Sequence, residues 1–144
     1  MIPLLAGRLP GSKITLLSDE DLERATGDRP IARLEASSPA LLQFTSGTTS
    51  RPRGVLLHQE QVLAQLRSYA KTTGLGPGKV AVTWLPLYHD LGLIGKVFAC
   101  LHSRMRLILL SPVDFLKDPI CWLRAISRHQ GTHTAAPNFA YGLT

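Results

Sequence analysis

Thr45-Ser46-Gly47-Thr48-Thr49-Ser50-Arg51-Pro52-Arg53-Gly54 is the stretch on which the reading of this chain turns. Five of its first six residues carry hydroxyls. Gly47 lets another group approach the backbone closely, and two arginines follow. Hydroxyls and free backbone N–H groups wrap phosphate oxygens, and guanidinium groups neutralise their charge. The G-x-x-x-x-G-K-[ST] spacing of a Walker loop is absent. Taken alone, a Ser/Thr-rich turn is more often just a solvated loop. Its surroundings decide.

Upstream, Leu41-Leu42-Gln43-Phe44-Thr45 predicts a strand, and downstream Gly54–His58 predicts another. Gln59–Thr73 has helical spacing, with Val62, Leu63, Leu66, Tyr69 and Ala70 on one face and Gly74 as a stop. Val80–Leu85 reads as a strand, Leu91–Leu101 as a largely buried helix and Arg106–Leu110 as a strand. Asp118-Pro119 is a cap followed by a proline at the first helical position, opening a helix through Arg128 that stops at Gly131. Thr132–Ala136 suits one more strand before Pro137. Strands alternating with helices predict an α/β fold, a partial and mostly parallel sheet flanked by helices. In such sheets ligands collect at the carboxyl ends of strands. Both unusual loops, after Thr45 and after Leu85, fall there.

The second of those loops is Trp84-Leu85-Pro86-Leu87-Tyr88-His89-Asp90. It puts an imidazole and a carboxylate side by side where a buried strand ends. His89 suits a hydrogen bond to phosphate or to an acyl carboxylate, and Asp90 suits capping the following helix. A single His-Asp pair is more often structural. No second His, Cys or carboxylate lies at ligand spacing, so no metal site is expected.

Composition narrows the class. In 144 residues, 44% are hydrophobic and 18% charged, enough for a packed core. No apolar run approaches the ~18 residues of a membrane span, and the N-terminus lacks a secretory pattern. Cys100 and Cys121 sit among apolar residues outside any CxxC pair, which suits reduced thiols and a cytoplasmic setting. The net charge of +6 is spread over scattered arginines rather than one run and favours anionic ligands. Residues 1–38 form an irregular leading segment and linker, with Pro3, Gly7, Pro10 and Gly11 early, a short strand candidate at Ile14–Leu17, and Gly27, Pro30, Ser37 and Ser38 later.

Together the two loops are far more specific than either alone. The order strand, T-S-G-T-T-x-x-P-R-G-V, helix, strand, W-L-P-L-Y-H-D-L-G-L-I-G resembles the adenylate-forming (AMP-binding) superfamily of acyl, aryl and luciferin-type ligases. Within it the second motif is most similar to fatty acyl-AMP ligases. Ser111-Pro112 with Phe115-Leu116, Trp122 to Ser127, and Ala136-Pro137-Asn138-Phe139-Ala140-Tyr141 continue the likeness. On this resemblance residues 39–144 are a partial adenylation domain carrying the phosphate loop. It implies ATP-dependent activation of a fatty acid to an acyl-adenylate, with transfer to an acyl carrier protein or coenzyme A, and ATP and Mg2+ as cofactors. Carried over by position, Thr45, Ser46, Gly47, Thr48 and Thr49 hold the β- and γ-phosphates. Arg53 stands at a usual phosphate-contacting lysine, His89 lies near the reacting carboxylate and leaving phosphate, and Asn138, Phe139 and Tyr141 border the acyl pocket.

Two positions depart from the family pattern. Ser50 replaces a glycine common to the loop, and Arg53 keeps the charge of the lysine with a different reach. The family's adenine, ribose and magnesium segments and its catalytic lysine normally follow the last residue here, so a complementary half is an expected partner. Two other readings stand beside the ligase: a truncated remnant without turnover, and a basic nucleic-acid-binding module. The last lacks the interleaved basic-aromatic stripe of single-strand binders.

Overall fold

The computed structural model describes Arg24 and residues 33–45 and 53–144. The chain divides into two units, Met1–Arg33 and Leu34–Thr144, and every described strand and helix belongs to the second. The strand expected at Ile14–Leu17 and loop residues 46–52 lie outside the described residues.

β1 (Pro39–Thr45) and β2 (Arg53–His58) pair antiparallel, with Leu41 opposite Leu57, Gln43 opposite Val55 and Thr45 opposite Arg53. This pair departs from the parallel arrangement expected for the sheet as a whole. The physical reason is loop length: residues 46–52 are too few for a parallel crossover, which needs about a dozen residues. β1 and β2 are thus the two arms of a hairpin.

α1 (Gln59–Thr73) follows directly. Its first N–H groups would be orphans, but Gln59 and Glu60 donate to the carbonyls of Ser38 and Ala36, each at 3.0 Å. The Gln61 side chain accepts from His58 N–H at 2.9 Å. Gly74 ends the helix in the left-handed region at φ 67°, where a side chain would be strained. Val62 and Leu66 are buried against Ala99, with Tyr69, Ile94 and Phe98 packed around them.

β3 (Val80–Thr83) runs parallel to β4 (Arg106–Leu109), in register from Val80 opposite Arg106 to Thr83 opposite Leu109. On its other side β3 meets the segment around His133 through one parallel bridge to Ala81. Flanked on both sides and covered by helices, Ala81, Val82 and Thr83 are buried, which is why this strand reads as an unbroken apolar run. The expected strand at Thr132–Ala136 is reduced to that bridge. Its threonines commit their hydroxyls to β3 instead: Thr134 Oγ1 donates to Val82 O at 2.8 Å, and Val80 N–H donates to Thr132 Oγ1 at 2.9 Å.

From β3 the chain enters a helical run in three parts, α2 (Asp90–Gly92), a π-helical stretch Leu93–Phe98, and α3 (Ala99–His102). Gly92 is required by contact, since a Cβ there would stand 2.2 Å from Pro86 O. After β4 come α4 (Pro112–Lys117), α5 (Ile120–His129) and α6 (Asn138–Tyr141). α4 opens on Ser111, whose hydroxyl accepts from Val113 N–H at 3.2 Å, with Pro112 at its first position. α5 ends not on Gly131 but on Gln130, which takes the left-handed conformation at φ 52°. The main core joins Val82, Trp84 and Leu85 with Phe115, Trp122, Ala125 and Ala140. Trp84 stacks on Phe115 with ring centroids 3.9 Å apart.

Candidate active-site groove

The loop leaving β3 is anchored at both ends. Trp84 and Leu85 are buried, 6% exposed each, and Leu85 N–H donates to Thr83 Oγ1 at 3.2 Å. His89 N–H donates to Pro86 O at 3.2 Å, closing a turn that lifts Tyr88, 87% exposed, and His89 out of the core.

At the turn's end His89, not Asp90, occupies the N-cap position of α2. Leu91 N–H has two acceptors, Asp90 Oδ1 at 2.6 Å and His89 Nδ1 at 3.2 Å. His89 Nδ1 also lies 2.7 Å from Asp90 Oδ1. The carboxylate is the nearer and charged acceptor for the amide. That assignment leaves Nδ1 to carry hydrogen and donate to Asp90, and it directs Nε2 away from the carboxylate. Both side chains are largely solvent-exposed, so the pair orients the ring more than it stabilises the fold.

A groove of about 510 Å³ separates this turn from the hairpin, lined by Gln43, Phe44, Val55 and Leu57 on one side and Tyr88, His89, Asp90 and Ile94 on the other. Thus β1 and β2, whose ends Thr45 and Arg53 are register partners, face the His89 turn across a shared cavity. The strands that flank the first unusual loop of the sequence thus share a groove with the second loop. A second hollow of about 350 Å³, between α1 and the helical run, shares Asp90 and Ile94 as a wall. Ser46, Gly47, Thr48 and Thr49 lie outside the described residues.

Asn138, Phe139 and Tyr141 do not line that groove. They stand on α6 at the edge of the aromatic core: Phe139 meets Trp84 edge-on at 6.3 Å and Tyr141 meets Trp122 at 5.4 Å. Since Trp84 begins the His89 loop, the same aromatic cluster supports both. Gln43, Val55 and Ile94 of the lining were missed from sequence. Strand alternation was the available signal, because Gln43 and Val55 are cross-strand partners on one face of a hairpin.

Lys96, on the π-helical stretch, is 4% exposed and makes no hydrogen bond or ion pair among the described residues. Burial pushes its amine below the ordinary value, and nearby Cys100 opposes that in part. Burial raises the Cys100 thiol, with Lys96 pulling the other way. Among the described residues no group of three His, Cys, Asp or Glu could hold a metal ion, and no helix is long and apolar enough to cross a membrane.

The profile of the AMP-binding enzyme family matches residues 5–142. The chain is 37% identical over 108 residues to the medium-chain-fatty-acid–[acyl-carrier-protein] ligase JamA of Moorena producens (strain JHB), covering 75% of this chain and 18% of that one. It is 41% identical over 113 residues to the long-chain-fatty-acid–AMP ligase FadD26 of Mycobacterium marinum, covering 75% and 19%. Among solved structures, the fatty acyl-adenylate ligase from L. pneumophila in complex with acyl adenylate and pyrophosphate superposes with a TM-score of 0.72 at 33% identity, over 76% of this chain and 19% of that one. The chain therefore spans about a fifth of the length of these relatives. A profile match over nearly all 144 residues and a shared fold agree: this chain belongs to the AMP-binding enzyme family.

Proposed function

We propose that these residues form the phosphate-loop part of a ligase that uses ATP to activate a fatty acid as its acyl-adenylate, for transfer to an acyl carrier protein or coenzyme A. The observation that carries the reading is the groove in which the His89 turn faces the hairpin bearing Thr45 and Arg53. In this reading 1–38 lead into the adenylation part, 39–144.

ATP supplies an α-phosphorus that a carboxylate oxygen attacks, with pyrophosphate leaving. That chemistry needs alignment and charge screening more than a covalent catalyst. Thr45, Ser46, Gly47, Thr48 and Thr49 would wrap the β- and γ-phosphates with hydroxyls and backbone N–H groups. Arg53, exposed where β2 starts, would neutralise their charge. His89, its Nδ1 held by Asp90, would present Nε2 to the reacting carboxylate or leaving phosphate. Asn138, Phe139 and Tyr141 would border the acyl chain. No described residue is assigned to Mg2+.

The phosphate role is tested by calorimetry of pyrophosphate binding to the 144-residue chain. Arg53→Ala should weaken binding by about 1.5–3 kcal/mol, the worth of one charge-assisted contact. Unchanged binding would refute that role. The activity itself is read as fatty-acid-dependent ATP–pyrophosphate exchange, expected when the complementary part of the fold is supplied. A remnant without turnover gives no exchange even then.

A further inference from the structure

Among the described residues of Leu34–Thr144, a group of exposed basic side chains gathers at one end, while the acidic side chains lie toward the other, where Lys117 and Arg124 accompany them. β3 and β4 are parallel, and the helices between them run back, so α1, α3 and α5 all finish where the strands begin. Backbone contacts tie that end together. Arg106 N–H donates to Lys79 O at 3.1 Å and Thr132 N–H to Val80 O at 2.8 Å. His133 Nε2 lies 3.0 Å from Thr73 O at the end of α1.

This end carries Lys71, Lys79, Arg104, Arg106 and Arg128, all exposed, and none is in an ion pair among the described residues. Glu60, Asp90, Asp114 and Asp118 lie at the other end, at or just before helix starts. Glu35 belongs with them, since neighbouring Ala36 O accepts from Glu60 N–H. Helix C-termini favour cations, which accounts for Lys71 and Arg128. Arg104 follows the end of α3 in the left-handed conformation at φ 53°, so the same field reaches it, whereas Lys79 and Arg106 precede or begin strands, where no such field acts. Leu101, whose carbonyl accepts from Arg104 N–H at 3.3 Å, is 73% exposed.

We propose that this N-terminal edge of the parallel sheet seats the protein on anionic phospholipid bilayers. Headgroup phosphates would take the unpaired cations while Leu101 enters the headgroup–acyl boundary. A single-stranded nucleic acid would call for aromatic stacking, and the exposed aromatics Phe44, Tyr88, Phe139 and Tyr141 stand away from this edge; a duplex, held through its phosphates, would give Leu101 no role. The surface uses none of the residues that line the groove, so it stands or falls independently of the ligase reading.

The test is flotation of the 144-residue chain with vesicles, which excludes aggregates because these do not float. The chain should float with phosphatidylcholine vesicles containing a quarter phosphatidylglycerol at low salt, and not with pure phosphatidylcholine. Arg104→Glu with Arg106→Glu should lower the partition coefficient about tenfold or more, and Leu101→Asp should lower it as well. Arg67→Glu with Lys117→Glu, an equal change of net charge elsewhere, should leave it within about twofold. If the reversed pair unfolds on thermal melting, Arg104→Gln with Arg106→Gln replaces it. Absence of flotation, equal loss in both charge-reversed pairs, or indifference to Leu101 would overturn the proposal. So would equally tight, Leu101-independent binding to polyglutamate, the mark of an acidic protein partner.

Discussion

His89 Nδ1 lies 2.7 Å from Asp90 Oδ1, although the two residues are adjacent in sequence and both side chains face solvent. The contact forms because the N-cap conformation of His89, extended at φ −101° and ψ 141°, turns its side chain back over the first helical residue. One oxygen of Asp90 then serves both the Leu91 amide and the imidazole. This arrangement fixes the tautomer, with hydrogen on Nδ1.

Asp90→Ala should remove that preference. In the parent chain, 15N correlation spectra of the His89 ring should show Nδ1 protonated and hydrogen-bonded in the neutral form. In the variant the ring should revert toward the Nε2–H form usual for histidine. Identical ring spectra in the two proteins would mean that the pair does not form in solution.

Trp84 and Trp122 form a matched pair for a stability experiment. Both are buried in one aromatic cluster, but Trp122 Nε1 donates to Thr134 Oγ1 at 3.0 Å, while Trp84 Nε1 is buried without a partner among the described residues. Replacement by Phe removes similar area at each site. At Trp122 it also deletes a satisfied donor, whereas at Trp84 it deletes an orphan whose desolvation is uncompensated. Trp122→Phe should therefore cost about 1–3 kcal/mol more than Trp84→Phe. Denaturant melts giving equal losses would show that the Trp84 donor finds a partner in solution.

Much of this architecture was legible because it rests on periodicity and caps. α1, β3, β4 and the α5 helix fall within a few residues of their expected places, each marked by an apolar face or a stop residue. What was not legible has local causes. α4 spans six residues, too few for a helical period. Nothing in Leu93–Phe98 distinguishes a π-helical stretch from an α-helix, since the difference is one of hydrogen-bond register. The antiparallel hairpin was implicit in the short loop 46–52, but the alternating α/β pattern downstream drew the reading toward parallel strands. At the site, His89 stood out by chemistry. Gln43 did not, because its role comes from which face of β1 meets the groove.

Lys96 gives a pH-dependent prediction. Burial lowers its amine from the ordinary 10.5. Between the lowered native value and 10.5 the unfolded chain holds more protons, so native stability rises with pH through that window. Below the native value the buried charge imposes its full cost. Lys96→Met should therefore be more stable than the parent at neutral pH, by on the order of 1 kcal/mol or more. The gap should close as pH rises toward 10.5. Cys100 and Lys96 act on each other, so both proteins are compared in a Cys100→Ala background, where that coupling is absent. Melts showing a gap constant with pH would locate the effect in packing instead.

The last prediction concerns association. Leu42 and Leu56 are cross-strand partners on the hairpin, yet they are 55% and 49% exposed, and Phe44 beside them is 64% exposed. Such a pair normally lies beneath another layer, because a two-stranded ribbon alone is marginally stable in water. Among the described residues β1 and β2 also pair only with each other, so each leaves a row of backbone donors and acceptors at an edge there. An apolar face beside an open edge promotes self-pairing. The 144-residue chain by itself should therefore sediment as oligomers and bind a hydrophobic dye more strongly than a compact domain of its size. Leu42→Lys with Leu56→Glu should reduce both effects while keeping an opposite-charge pair across the strands. Supplying the complementary part of the adenylation fold should reduce them in the parent as well, if that part covers the hairpin. A monomer with a single cooperative melt and little dye binding would overturn this, and would mean that the hairpin is stable with its apolar face in water.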